Sequence, residues 1–438
     1  MDQQQKRVAK LAAHLAAGGA EVAVGVAASE TGNQSAVYGA VGSQNDDDVV
    51  IVSALRTAIA KARKGAFKDT SPDDLLVSVF QGVLQETKID PAEIGDVVVG
   101  NVQLSGSYSM PARTAMFRAG IPESASVRSI NRQCSSGIQA VADIAMEIKT
   151  GQIDCGIGAG VESMTNGGSP GDMSALPPMN LNEIFQNPGA SASLTAMGMT
   201  SENVAEEFKI TREEQDALAV DSHKKSLAAQ AAGKFQKEIV PVTVTVEDAE
   251  GNEKEVVVDK DEGPRAGTTL EGLAKLKPAF KKGGSTTAGN SSQVSDGAAA
   301  VLLMTRAKAK QLGLPIKAVF RGFKVVGVPP NVMGIGPAAA IPALMEDTKV
   351  PLEKVDVVEL NEAFASQATY CVKKLGIPME KVNPNGGAIS LGHPLGCTGS
   401  RMVATLVSEL EREKKNLGIV SMCIGTGMGA AALIERQS

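Results

Sequence analysis

Two cysteines, one histidine and one asparagine stand in surroundings that suit them for chemistry at a carbonyl carbon. Cys134 lies in Asn131-Arg132-Gln133-Cys134-Ser135-Ser136-Gly137. The preceding Val127-Arg128-Ser129-Ile130 alternates as a half-buried strand does, and Ile138, Val141, Ala145 and Ile148 recur at helical spacing until Gly151. Cys134 is therefore expected at a strand-to-helix turn, beside residues too small to cover it. The unpaired N–H groups and positive end of the helix would there favour thiolate over thiol. On this stretch alone, a buried cysteine that only fills space is the competing reading.

The second half of the chain supplies partners. Asn383-Pro384-Asn385-Gly386-Gly387-Ala388-Ile389-Ser390-Leu391-Gly392-His393-Pro394 ends in a histidine shaped by glycine and proline, a candidate base for the Cys134 proton and then a donor to an oxyanion. Asn361-Glu362-Ala363-Phe364 offers a neutral amide to hold a water or a carbonyl oxygen. Ser421-Met422-Cys423-Ile424-Gly425-Thr426-Gly427 places a second cysteine by a loop of free N–H groups, where a thiol can move a proton to or from carbon. Taken singly, Gly-His-Pro is an ordinary turn and Asn-Glu-Ala-Phe an ordinary helix start.

The elements that position these groups read as alternating strands and helices. Val49 to Val52 and Asp96 to Gly100 are short apolar runs suited to buried strands. Between them a helix is expected from Asp73 to Thr87, with Ser71 as N-cap and Pro72 at its first position. A short helix is expected over Arg113 to Ala119, and Cys155 to Gly160 reads as a strand entering a glycine-rich bend. That run does not open a helix, and Gly425 to Gly429 lies too near the C-terminus, so neither fits a dinucleotide-binding βαβ unit. From about Thr165 the pattern changes. Residues 166–200 read as a long loop, and Thr211 with Glu214 forms a capping box opening a helix to about Ala232. His223, among Asp221, Lys224 and Lys225, reads as a solvated helix residue. Glu238 to Val246 and Glu253 to Val258 read as a hairpin turned at residues 249–252, and Ala298 to Met304 as a returning core strand. Lys224, Lys225, Arg265, Lys275, Lys277, Lys281 and Lys282 are candidates to meet a phosphate-bearing ligand, although solvation explains most such charges.

An internal repeat is also legible. Asp96-Val97-Val98-Val99 begins 38 residues before Cys134, and Asp356-Val357-Val358-Glu359 begins 37 before His393. Each then leads through an amphipathic helix to a glycine-rich strand. Two similar halves would bring both helix N-termini to one cleft.

Composition narrows the class. The 438 residues are 43% hydrophobic and 21% charged, as in ordinary globular proteins, and the length suggests two or three domains. A net charge of −6, no Trp, ten Phe and three Tyr argue against nucleic-acid binding. No apolar run reaches the roughly 20 residues of a membrane span. The five cysteines form no C-x-x-C pair and the three histidines are widely separated, so a disulfide framework and a metal site are both disfavoured and a reducing compartment is the simpler expectation. Residues 1–47, rich in Ala, Gly, Gln and Ser, read as a leader. Arg7-Val8, five residues, then His14-Leu15 matches the bipartite type-2 peroxisomal targeting signal, readable by an import receptor; a mitochondrial presequence is the competing reading of the same basic stretch.

Taken together, residues 49–436 resemble the thiolase family. The resemblance rests on Asn131 to Gly137, Asn361 to Phe364, Gly392-His393-Pro394 with Gly396, and Cys423-Ile424-Gly425-Thr426-Gly427, four motifs in the family's order. It implies a five-layer αβαβα fold of two repeated βαβ-type halves with an inserted loop domain, assembled as a homodimer. The expected division is a leader over 1–47, a first half over 48–165 plus 283–308, a loop domain over 166–282 and a second half over 309–438. The implied reaction is thiolytic cleavage of a 3-ketoacyl-CoA, with coenzyme A as co-substrate and no tightly bound cofactor. By the resemblance Cys134 accepts the acyl group and His393 activates it. Asn361, through a water, joins His393 in one oxyanion hole; the N–H groups of Cys134 and Gly425 form another; Cys423 is the acid/base at the α-carbon. Ser292 matches a pantetheine contact, and Arg265 and Phe364 are further candidates at the CoA site. Cys397-Thr398-Gly399-Ser400 departs slightly from the family pattern, which touches local packing only. A decarboxylating ketosynthase or a sterol-carrier-type thiolase would carry a histidine at Asn361. An acetoacetyl-CoA-type biosynthetic thiolase and a non-enzymatic peroxisomal thiol redox or scaffold protein are two further readings of the same residues.

Overall fold

The computed structural model describes residues 36–104, 108–167, 179–247 and 251–437. The targeting motif at Arg7 to Leu15 lies outside them, as do residues 168–178 of the expected long loop and 249 and 250 of the expected hairpin turn. The end of the expected leader is not separate from the fold: Ala36 and Val37 pair with Phe323 and Gly322, and Tyr38 is buried against Phe320. The expected loop carries short helices at Leu181–Ile184 and Pro188–Ala192. The first half runs β1 (Val49–Arg56), α1 (Pro72–Thr87), β2 (Asp96–Gly100), α2 (Ser109–Ala119), β3 (Ser126–Ile130), α3 (Ser136–Lys149) and β4 (Cys155–Ser163). An inserted stretch then carries α4 (Met197–Glu207), α5 (Arg212–Ala231) and the hairpin β5 (Val242–Glu247) with β6 (Glu253–Val258), before β7 (Ser295–Thr305) rejoins the core. The second half runs β8 (Ala318–Gly327), α6 (Gly336–Thr348), β9 (Val357–Leu360), α7 (Ala365–Leu375), α8 (Leu395–Arg412), β10 (Leu417–Ile424) and β11 (Met428–Arg436).

Strand order shows the repeat. The first sheet is β3-β2-β4-β7-β1, with β2 parallel to β3 and β4, and β7 antiparallel to β4 and β1. The second is β9-β10-β11-β8, with β9 parallel to β10, and β11 antiparallel to β10 and β8. A parallel bridge from Val358 to Val382 stands where β3 pairs with β2 in the first half. The sheets join edge to edge where Val50 and Ile51 pair with Val319 and Ala318.

Because strand side chains alternate between faces, neighbouring valines enter different cores. Val97 and Val99 pack with Leu75 and Val79 of α1 and Met116 of α2. Val98 instead joins Ile138, Val141 and Ala145 of α3 and Val403, Leu406 and Leu410 of α8. Val358 and Leu360 pack with Ile341 of α6 and Ala368 of α7. The layers are therefore α1–α2, sheet, α3–α8, sheet, α6–α7, as the resemblance implied. Truncating Leu406, which is fully buried in the central layer, to Ala would cost about 2–5 kcal/mol. Glycine sets the α3–α8 distance: a Cβ on Gly137 would lie 2.7 Å from the Gly396 carbonyl oxygen, and one on Gly399 would lie 2.2 Å from the Ile138 nitrogen.

Several local expectations change. Ser71 occupies the N-cap of α1, but its hydroxyl engages the Asp73 carboxylate and caps no backbone N–H. Cys155 to Gly160 enters no bend; it is interior strand, its glycines leaving room for α3 and α8. The hairpin starts at Val242, because the backbone before it is already paired with Arg56, whose N–H donates to the Glu238 carbonyl (2.8 Å) and whose carbonyl accepts the Val240 N–H (2.7 Å). The Thr211–Glu214 capping box forms as expected. His223 does not face solvent: it is 4% exposed, and its Nδ1 accepts the Arg265 N–H at 3.2 Å. Helical periodicity turns it inward with Ser222, Ala219 and Ser226.

Candidate active site

The turn before α3 fixes Cys134. Gln133 sits in the left-handed region (φ 48°), and Asn131 Oδ1 accepts its N–H at 2.9 Å. For a residue with a Cβ, such a conformation costs about 1–3 kcal/mol and persists only where its surroundings enforce it. The N–H groups of Ser135 and Ser136 are donated to the carbonyls of Arg132 (3.1 Å) and Gln133 (3.0 Å). The donors expected to stabilise a thiolate are thus consumed by the turn. Sulfur keeps its own residue's N–H and that of Gly425 as partners; burial outweighs them and pushes the thiol up to about 11. This reverses the expected direction. Cys134 is nonetheless the cysteine that retains exposure; the other four are buried.

His393 follows Gly392, whose φ of 112° and lack of a Cβ are required, since a Cβ would lie 2.3 Å from Ser295 Oγ. Pro394 then caps α8. The buried imidazole lies between two partners: Nδ1 is 2.7 Å from Thr398 Oγ1, and Nε2 is 3.3 Å from Asn361 Nδ2. An amide NH2 only donates, so this arrangement makes Nε2 the acceptor and leaves Nδ1 to donate to Thr398. Burial, reinforced by the positive Arg401, pulls the imidazole down to about 3, so it is neutral at physiological pH. Asn361 is fixed by its own N–H to the Ser421 carbonyl (2.9 Å), and its buried Oδ1 finds no partner among the described residues.

Cys423 is the penultimate residue of β10, paired with Gly429 of β11, and packs with Met333 and Ala363 beside Met197 and Phe364. Burial first, then the proximity of Cys134, raises its thiol well above the ordinary range. Cys134 itself packs on a core that includes Ile424 and, partly buried, Met428. Cys134, Cys423 and the Gly425 N–H therefore gather in one place. His393 and Asn361 are in direct contact, and Asn361 hangs from Ser421, two residues before Cys423.

Three residues of this neighbourhood escape the motif reading. Thr398, the Nδ1 partner, falls within the stretch expected to affect packing only. Glu162 accepts the N–H groups of Gly396 (2.9 Å), Gln103 (3.0 Å) and Val102 (3.1 Å), tying the start of α8 to the loop after β2. Burial raises its carboxyl to about 7 against those three N–H groups. Glu362, next to Asn361, accepts Ser222 Oγ (2.7 Å), Asn383 Nδ2 (2.7 Å) and the Ile389 N–H (3.2 Å). Glu362 lies inside the Asn361–Phe364 motif and Glu162 outside all four, and neither position carries a sequence signal of such contacts.

The candidates for a CoA site lie around residues 290–293. The Ser292 N–H donates to the Ala363 carbonyl (3.0 Å), Ser291 bridges Phe364, and the Phe364 ring meets Phe280 edge-on at 6.2 Å. Arg265 Nη2 is 3.4 Å from Gln293 Oε1, and Gln293 in turn accepts the His393 N–H on its carbonyl (3.0 Å). Among the lysines, Lys275 pairs with Glu271, Lys281 with Glu206, and Lys225 with Asp221. Those three are engaged within the fold. No cluster of His, Cys, Asp and Glu able to hold a metal occurs among the described residues, and no described helix is long and apolar enough to cross a membrane.

Comparison with known proteins agrees with this geometry. The family profile "Thiolase, N-terminal domain" matches residues 49–307, and "Thiolase, C-terminal domain" matches 314–436. The chain is 57% identical over 391 residues to rat peroxisomal 3-ketoacyl-CoA thiolase B, covering 89% of this chain and 91% of that protein. It is 55% identical over 397 residues to Arabidopsis thaliana peroxisomal 3-ketoacyl-CoA thiolase 1, covering 90% and 88%. Superposition on the crystal structure of the dimeric peroxisomal thiolase of Saccharomyces cerevisiae gives a TM-score of 0.82 at 46% identity, over 90% of this chain and 99% of that one. With both halves matched in order and a fold and motif set to suit, the chain belongs to the thiolase family.

Proposed function

We propose that the chain cleaves 3-ketoacyl-CoA with CoA, giving acetyl-CoA and an acyl-CoA two carbons shorter, as a step of fatty-acid β-oxidation. Its family membership and its 55–57% identity to 3-ketoacyl-CoA thiolases support this reading. The observation that carries the chemistry is a neutral His393 whose unprotonated Nε2 faces Asn361 and exchanges that contact for the Cys134 proton, in a fold that gives the Cys134 sulfur the Gly425 N–H as a partner.

Resting Cys134 is a thiol, so His393 Nε2 takes its proton as sulfur attacks the 3-keto carbon. The resulting oxyanion receives a hydrogen bond from protonated Nε2 and from a water held on Asn361 Oδ1. Collapse breaks the C2–C3 bond, leaving the acyl group on Cys134 and an acetyl-CoA enolate. The N–H groups of Cys134 and Gly425 hold the enolate oxygen while the Cys423 thiol protonates C2. The Cys423 thiolate then takes the proton of incoming CoA, whose sulfur attacks the acyl-enzyme. Cys134 leaves as thiolate and recovers its proton from His393. A high thiol pKa suits Cys423 to act as an acid toward a carbanion. Ser292, Arg265 and Phe364 are assigned to the CoA moiety. CoA acts as a substrate here, consumed in the second half-reaction and released as the thioester of the shortened acyl group.

Purified chain supplied with CoA and a chain-length series of 3-ketoacyl-CoA substrates is expected to form acetyl-CoA and the shortened acyl-CoA, resolved by chromatography. Cys134→Ala is expected to fold and bind acyl-CoA without cleaving it; measurable cleavage by that variant removes Cys134 from its role. Peroxisomal relatives and the Arg7-Val8…His14-Leu15 signature support a peroxisomal destination, reached through the import receptor for that signal. Deleting Met1 to Leu15 is expected to disperse a tagged chain through the cytosol. The dimeric yeast relative supports a homodimer, which light scattering would detect.

A further inference from the structure

Asn361 and His393 come from different segments, and one buried carboxylate sits behind both. Glu362 is 4% exposed and receives three donors from three places: Ser222 Oγ from α5, Asn383 Nδ2 from the turn after Val382, and the Ile389 N–H from the short helix leading to His393. Asn383 also grips the strand residue before Asn361, donating Nδ2 to the Leu360 carbonyl and accepting the Leu360 N–H on Oδ1, both at 2.8 Å. Ser222 Oγ accepts the Gly387 N–H at 3.1 Å and lies 3.0 Å from Ser390 Oγ. A Cβ at residue 387 would lie 2.3 Å from Glu362 Cδ, so only a glycine there lets the carboxylate in. Beside Ser222, His223 accepts the Arg265 N–H.

We propose that Glu362 is a positioning residue that sets Asn361 against His393 and ties both, through Ser222, to the segment carrying Arg265. This rests on the thiolase reading, because it assigns a task to residues around that site. The argument from chemistry is that an ionised carboxylate offers only acceptors, matching three donors. Glutamine has the same shape but fails in either orientation. With its NH2 toward Asn383 it faces the amide NH2 of that residue; with its NH2 the other way it faces the Ile389 N–H, which cannot turn.

The test compares wild type, Glu362→Gln and Ser222→Ala in steady-state thiolysis, with thermal melts to fix the folded fraction. Misplacing a catalytic group by a fraction of an ångström lowers turnover, so kcat of Glu362→Gln is expected to fall about 10- to 100-fold. Ser222→Ala, which leaves two donors on the carboxylate, is expected to fall about 3- to 10-fold. KM for CoA should stay within about threefold in both, since no substrate contact is removed. Loss of activity merely in proportion to unfolded protein, or kcat within twofold of wild type in both variants, overturns the proposal. If Glu362→Gln does not fold, Ser222→Ala decides alone. An inactive wild type would instead defeat the thiolase reading, which separates the two failures.

Discussion

Replacing Thr398 by Val keeps shape and removes one oxygen, the partner of His393 Nδ1 at 2.7 Å. Both residues are buried, Thr398 fully, so no bulk water replaces it. Nδ1–H then either stays unsatisfied or moves its proton to Nε2, where it would confront the Asn361 NH2 at 3.3 Å. Leaving a buried donor unpaired costs about 1–3 kcal/mol. At about 1.36 kcal/mol per decade of rate, the loss of a correctly presented base is roughly 5- to 160-fold in kcat. KM should change little, because Thr398 acts through the imidazole. Rapid-quench measurement of acyl-enzyme formation isolates the affected step, and Thr398→Ser, which restores the oxygen, should recover most of the rate. A Thr398→Val enzyme that acylates within twofold of wild type would refute the assignment of tautomer.

Alkylation of the free enzyme by iodoacetamide should rise about tenfold per pH unit between pH 7 and 10, because Cys134 ionises near 11; a plateau by pH 8 would contradict this. Burial, aided by Arg265, holds His223 down at about 4, so the folded state prefers its neutral form. The stability that follows is complete above about pH 6.5 and is lost as pH falls toward 4, on the order of 3 kcal/mol. His223→Asn, which retains an acceptor, should flatten that acid slope in urea titrations; an unchanged slope would clear His223 of responsibility. Gly399→Ala should destabilise by about 1–3 kcal/mol through forced separation of α3 and α8. Gly425→Ala should melt near wild type, since its nearest neighbour would be Gln133 Cγ at 3.5 Å; equal melting temperatures for the two variants would refute the seam argument.

Sequence makes much of this site legible, and the reasons are local. A strand ending at Ile130, small residues after Cys134 and a helical apolar stripe are all properties of one short window, although residues 127–130 are evenly half-buried between two cores and do not alternate. Glycine and proline around His393 likewise announce a shaped backbone. The acidity of Cys134 is not legible, because it depends first on how deeply the folded chain buries the sulfur, and then on which N–H groups remain free to reach it. Glu162 and Glu362 escape notice for a related reason, since their partners lie 21 to 234 residues away. Thr398 is only five residues from His393, but the contact depends on how Gly392 and the first turn of α8 aim the ring. His223 is misleading when judged by its charged neighbours, because the buried Ala219, Ser222 and Ser226 on the same helix decide its direction.

The seam between α3 and α8 has a consequence for how the molecule comes into being. Nucleophile and base ride on separate helices that cover each other, so a ribosome releasing the first half alone presents a bare oily surface until the second arrives. Expressed as isolated pieces cut near residue 310, the halves should aggregate, whereas co-refolding them should recover soluble, active enzyme. Assembly and competence for catalysis would then be a single event, scored by one assay.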